Sequence, residues 1–124
     1  MKIINKENSS ISWYFQEKKI QINFEYYGHA IYSERYKIIV VMSNYPERSV
    51  FNVKAYSLNG DFISEVSRKR NEDLIYNYIS ENPSVNSGVV IIASYEKIVE
   101  NFYDWQFEID LDKFEITNRI APSY

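Results

Sequence analysis

Cysteine is absent from the chain, so no disulfide, thiolate zinc site, iron–sulfur cluster or cysteine nucleophile can form. The three glycines, Gly28, Gly60 and Gly88, stand far apart, which rules out a glycine-rich phosphate loop. Histidine occurs once, at His29, so any Ser-His-Asp or general acid–base chemistry must centre on it. Long apolar runs are missing too. The longest, 38–42 and 89–93, cannot span a bilayer, and Met1 to Lys6 offers only Ile3 and Ile4, short of a signal-peptide core. These absences predict a cytoplasmic protein without a membrane segment. An excess of positive charge is also lacking: 14 basic and 17 acidic residues leave a net charge of −3, which argues against a nucleic-acid binder needing a broad cationic footprint.

What is present favours strands. The 124 residues are 45% hydrophobic and 17% aromatic, with 12 Tyr and seventeen Ile against three Leu. That size and apolar content predict one domain over 1–124 with one core. Ile11, Trp13 and Phe15 alternate along a first strand, and Ile20, Ile22, Phe24 and Tyr26 along a second. Gly28-His29 reads as a tight hairpin turn, leading into a strand from Ala30 to Met42 with a break near Glu34-Arg35. Its second half is apolar on both faces apart from Lys37, the pattern of a strand covered on both sides. Asn59-Gly60, as the centre of a type I′ turn, pairs Leu58 with Asp61, Tyr56 with Ile63, Lys54 with Glu65 and Val53 with Val66. The segment 55–63 resembles hairpins within β-propeller blades, but the chain is too short for a propeller.

One helix is predicted over 71–81. Asn71 serves as its cap, Glu72 and Asp73 occupy the first turn, Leu74/Tyr78 and Ile75/Ile79 are i,i+4 pairs, and Asn82-Pro83 stops it. The basic run Arg68-Lys69-Arg70 before it reads as a solvated bend. Val89 to Tyr95 forms a further strand apolar on both faces. The fold expected is therefore mainly β (α+β): seven or eight mostly antiparallel strands in a curved sheet or two layers, with the one helix lodged among them.

From Asp104 to Leu111 the chain alternates strictly, with Trp105, Phe107, Ile109 and Leu111 on one face and Asp104, Gln106, Glu108 and Asp110 on the other. A two-residue turn at Asp112-Lys113 sets Leu111 against Phe114, Ile109 against Ile116, Trp105 against Ile120, and Asp110 against Glu115, a like-charge pair that destabilises the ladder. Between Glu96 and Glu115 seven acidic residues face two lysines, so the negative charge is concentrated there. Three roles compete for such a face. It can protect a solvated sheet edge, dock a basic protein, or hold a hard metal ion. Carboxylates about 6.8 Å apart on alternate strand positions do not converge on one ion, so no metal and no cofactor is expected.

Trp13 and Trp105 sit on the apolar phase of their strands and read as core. Tyr14, Tyr26, Tyr27, Tyr32, Tyr36, Tyr45, Tyr56 and Tyr103 are too many for all to be buried, and a cluster of them at the surface would mark an interface. In size, acidity, aromatic richness and lack of catalytic residues the chain resembles the small immunity proteins that bacteria produce against toxins, such as those of contact-dependent growth inhibition systems. The resemblance implies a protein-binding, non-enzymatic role in which a basic toxin, often a nuclease, is neutralised by covering its active site. The residues expected to bind it are Asp104, Glu108, Asp110 and Glu115, with Tyr103 as a neighbouring anchor. Two alternatives are a small-ligand or carbohydrate-binding β module, and a hydrolase or ribonuclease built on His29 with Arg35, Tyr27 and Tyr32.

Overall fold

The structure, a computed structural model, describes residues 2–6, 10–24, 28–43, 53–68 and 74–122. They form twelve strands in three sheets. The first sheet holds β1 (Ile4–Lys6), β2 (Ser10–Phe15) and β3 (Lys18–Asn23). The second holds β4 (Gly28–Ser33), β5 (Ile38–Ser43), β6 (Val53–Ser57) and β7 (Phe62–Glu65), in that order. The third is ordered β8-β12-β11-β10-β9, from β8 (Ser67–Arg68), β9 (Leu74–Glu81), β10 (Val89–Val99), β11 (Phe102–Asp110) and β12 (Glu115–Pro122). Every pairing is antiparallel except that of β8 with β12.

The second sheet lies between the other two, and β5 shows why. Ile38, Val40 and Met42 pack into one buried cluster with Ile91, Trp105, Phe107 and Ile109 of the third sheet. The alternate residues Ile39 and Val41 pack into a separate cluster with Ile11 and Trp13 of the first sheet. A strand apolar on both faces has to be covered twice, and here a sheet does the covering on each side. The first sheet is further fixed by Trp13 Nε1, which donates to the Leu58 carbonyl at 2.7 Å, and by Gly60. Gly60 has φ +91°, and a Cβ there would lie 2.7 Å from Ile20 Cγ2, so both its left-handed backbone and the approach of β3 require glycine.

Several expectations are corrected. No helix occurs among the described residues: 74–81 is strand β9, paired with β10, and Asn71, Glu72 and Asp73 lie outside the described residues. The i,i+4 coincidences there are outweighed by a β-favouring run, Leu74-Ile75-Tyr76-Asn77-Tyr78-Ile79, with β10 as its partner. The strands number twelve rather than seven or eight, and three sheets replace the curved or two-layer arrangement. Gly28 is not a turn residue. It opens β4 opposite Ser43, and its missing Cβ admits the Phe24 ring, which would lie 2.8 Å from such an atom. The break near Glu34-Arg35 is a turn over 34–37 that makes β4 and β5 a hairpin, with Lys37 at φ 55°.

At Asn59-Gly60 the pairing Lys54↔Glu65 is present, but Tyr56 faces Phe62 rather than Ile63. Positive φ falls on Gly60 and not on Leu58 or Asn59, and Gly60 N donates to Ser57 O at 3.0 Å. This is a three-residue loop closed by a left-handed glycine, so the two-residue type I′ turn is replaced and one residue bulges out of the ladder.

Ile39 and Met42 are both fully buried, one in each cluster. Ile39→Ala and Met42→Ala are each expected to cost about 2–5 kcal/mol in urea unfolding; a loss below about 1 kcal/mol for either would show that its side of β5 is not a packed layer. Gly60→Ala is expected to lower stability by more than about 1 kcal/mol in the same measurement, and an unchanged midpoint would contradict the left-handed turn.

Candidate functional site

With its inner face buried against the second sheet, the third sheet turns the alternate residues of β11 outward. Trp105, Phe107 and Ile109 are buried, while Asp104, Gln106, Glu108 and Asp110 are half-exposed. On β12, Glu115 pairs directly with Asp110, and Ile109 with Ile116, as the sequence pattern requires. The turn between them differs. It spans the four residues Leu111 to Phe114, with Phe114 at φ 55°, so Leu111 and Phe114 are turn residues rather than a ladder pair. Further along, register shifts set Trp105 against Pro122 in place of Ile120.

The five predicted binding residues have different surroundings. Asp104 accepts a hydrogen bond from Ser94 Oγ, which in turn accepts one from Asn77 Nδ2 at 2.6 Å, a polar chain across β9, β10 and β11. Asp110 Oδ1 accepts the backbone N–H groups of Asp112 at 2.8 Å and Lys113 at 3.1 Å, and so shapes the turn. Glu108 makes no side-chain hydrogen bond with a described residue, and Glu115 Oε2 is buried with no hydrogen-bond partner among the described residues. No lysine or arginine forms an ion pair with any of the four carboxylates among the described residues. Glu108, Asp110 and Glu115 are neighbours at the turn end of the face, whereas Asp104 lies roughly 20 Å up the strand from Asp110. Tyr103, being next to Asp104 on the strand, has the opposite phase and does not share the carboxylate face.

Tyr103 belongs instead to the hairpin that joins β10 to β11, whose last pair before the turn is Val99↔Phe102. Its turn residues Glu100 and Asn101 have φ 46° and 74°, the paired left-handed conformation of a two-residue hairpin loop. Tyr103 is 52% exposed on this hairpin and Ile98 55%. Tyr78, 44% exposed, pairs with Ile92 and so joins the outer face that carries Gln106. It escapes notice when 71–81 is taken as a helix, where it counts as a core-facing partner of Leu74.

Both tryptophans are buried, and their indole N–H groups donate to backbone carbonyls, Trp13 to Leu58 and Trp105 to Phe102. His29 Nε2 donates to the Ile79 carbonyl at 3.0 Å, tying β4 to β9. Arg35 and Tyr32 lie at the far end of β4, and Tyr27 lies outside the described residues, as do Tyr26 and Tyr45. Among the described residues no group of three or more His, Asp or Glu side chains is placed to hold a metal ion, and no helix is long and apolar enough to cross a membrane.

Tyr36 links the turns at this end of the molecule. Its hydroxyl donates to Asp112 Oδ2 at 2.8 Å and accepts from Asn86 Nδ2 at 2.6 Å. The hydrogen bond to Asp112 raises the phenol's pKa above its ordinary value, desolvation and the Asp112 charge add to this, and Arg35 opposes it. The raised value means that the contact contributes fully below the free phenol's range near 10 and is lost as pH climbs through the higher folded value.

The architecture thus defines an all-β protein of three stacked sheets whose third sheet carries an outward carboxylate face. Comparison with protein-family models, curated proteins and solved structures finds no match for this chain.

A pair of like charges directly opposed, one with a buried oxygen that lacks a hydrogen-bond partner among the described residues, costs stability. Glu115→Gln is therefore expected to raise stability by about 0.2–1 kcal/mol, read as a higher urea midpoint. A lower midpoint would mean that the Glu115 carboxylate has an internal role in holding the fold.

Proposed function

We propose that the chain is a protein-binding module, specifically an immunity protein that neutralises a basic toxin by covering its active site. The observation that supports this most is the outward face bearing Glu108, Asp110 and Glu115 without ion-pair compensation among the described residues. Uncompensated carboxylates on a sheet face raise the on-rate of a cationic partner, and the partner's lysines or arginines relieve the Asp110–Glu115 repulsion on binding. Asp104 adds charge at the other end of the same strand while remaining bonded to Ser94.

Affinity in such interfaces comes from a few large, rigid side chains that exclude water. Tyr78 on the outer face, and Ile98 and Tyr103 on the hairpin between β10 and β11, supply exposed apolar surface. Tyr103 therefore serves as an anchor reached by the partner's edge, rather than a neighbour of Glu108. No catalytic residue enters this mechanism; inhibition follows from steric and electrostatic occlusion alone.

The test is binding to a basic protein encoded next to the gene for this chain, measured by calorimetry with wild type, Tyr103→Ala, and Asp110→Lys with Glu115→Lys. The charge reversals are expected to weaken binding by about tenfold or more, and raising the salt should weaken the wild-type complex likewise. Tyr103→Ala is expected to lose about tenfold or more. Undiminished binding by the reversed protein would refute the carboxylate face, and failure of the wild type to bind would refute the immunity role.

A further inference from the structure

We propose that a cleft at one end of the molecule is a binding site for a neutral oligosaccharide, separate from the carboxylate face. The cleft, open to solvent, has a volume of about 740 Å³ between the 34–37 turn and the 82–88 loop. That volume lies within the ~300–1,000 Å³ of small-molecule sites and exceeds what a single side chain of a partner would fill.

Its walls are fixed before any ligand arrives. The loop is closed on itself by Asn82 N donating to Gly88 O at 2.9 Å, Val85 N to Asn82 O at 3.2 Å and Gly88 N to Val85 O at 3.1 Å. It is tied to the opposite wall at two points: Ser33 Oγ donates to the Ser87 carbonyl at 2.6 Å, and Asn86 Nδ2 donates to the Tyr36 hydroxyl. Gly88 has φ +79°, and a Cβ built there would meet nothing within 4 Å, so the glycine serves the backbone of the loop and leaves open space beside it. A preformed cleft of this kind spares a ligand the entropy of ordering two loops.

The lining selects the chemistry. Tyr32, Pro83 and Val85 provide apolar surface, while Glu34, Arg35 and Glu81 provide charge of both signs. The side chains of those three charged residues, and the Tyr32 hydroxyl, form no hydrogen bond or ion pair with a described residue. An apolar ligand would strand these groups without water, which is costly. An anion would be repelled by two carboxylates set against one guanidinium. A sugar suits the mixture: each hydroxyl both donates and accepts, so carboxylates and guanidinium are all satisfied, and its C–H faces lie against the apolar residues.

The test is titration of the ¹⁵N-labelled protein with maltotriose, cellotriose and chitotriose, all neutral, and with glucose 6-phosphate as an anionic comparator. At least one trisaccharide is expected to shift the amides of Tyr32, Arg35 and 84–88 with Kd of about 1 mM or tighter, and Glu81→Gln and Tyr32→Ala to weaken it about tenfold. Glu81 is exposed on the cleft rim, so its substitution is expected to leave Tm unchanged and keeps the test informative even where Tyr32→Ala unfolds the protein. Glu108→Lys with Glu115→Lys, which removes no acceptor of the 111–114 turn, is expected to bind the trisaccharide normally, which separates this site from the toxin-binding face. Silence from all three trisaccharides, shifts confined to other surfaces, wild-type affinity in Glu81→Gln, or tighter binding of glucose 6-phosphate would overturn the assignment.

Discussion

Five consecutive residues of β5, Ile38 to Met42, are buried on both sides of the second sheet, because an apolar surface covers each face. The first and third sheets are those surfaces. Each needs just one apolar face for the purpose, so the other can carry polar and charged residues, as β11 does beside the buried Val90 and Ile92 of β10. The outward carboxylates of β11 are in this sense a consequence of β5: once Trp105, Phe107 and Ile109 are committed to Val40 and Met42, strand alternation sends Asp104, Glu108 and Asp110 outward. The first sheet follows the same logic, with Trp13 buried against Ile39 and Val41 and Tyr14 beside it 61% exposed.

The parts of this that sequence alone reveals are those governed by period. The double apolarity of 38–42, the alternation of 104–111 and the Asp110–Glu115 opposition are all present in the structure, because burial on a given face enforces register. The face assignment near the C-terminal turn also survives an error in the turn itself. A two-residue and a four-residue loop centred on Asp112-Lys113 leave the same residues opposite one another, so opening the turn changes Leu111 and Phe114 but not Asp110 and Glu115. Single-residue irregularities are different. The bulge after Ala55 and the shifts along β11 and β12 move Tyr56 and Trp105 onto partners that no alternation rule foretells.

What was hidden was hidden for definite reasons. The 71–81 segment carries helical spacing and strand-forming residues together, and the edge of β10 decides between them. Gly28 is needed for the close approach of Phe24 and the Met42 carbonyl, which has no signature distinct from that of a turn glycine. Nor does the chain mark its turns in the usual way. With three glycines in all, it places Gln16, Glu17, Lys37, Glu100, Asn101 and Phe114 at positive φ. Left-handed backbone at a non-glycine residue costs about 1–2 kcal/mol, and the hairpins persist because the layers they join bury so much apolar surface. Hairpin loops built on Gln, Glu, Lys and Phe are invisible to a search for Asn-Gly and Asp-Gly.

The carboxylates themselves divide by what the fold asks of them. Asp104 orders a polar chain across three strands, and Asp110 holds two backbone N–H groups of its turn, so both have structural work that a substitution to alanine would disturb. Glu108 and Glu115 have no such bonds among the described residues, and Glu115 has an oxygen shut away from solvent besides. Stability alone would replace a half-buried, like-charge-facing glutamate with a neutral side chain of the same shape. That distinction makes Glu115 more informative than Asp110: loss of binding on altering Asp110 can arise from a deformed turn, whereas Glu115 holds no backbone group of that turn, so loss on altering it reports on its charge.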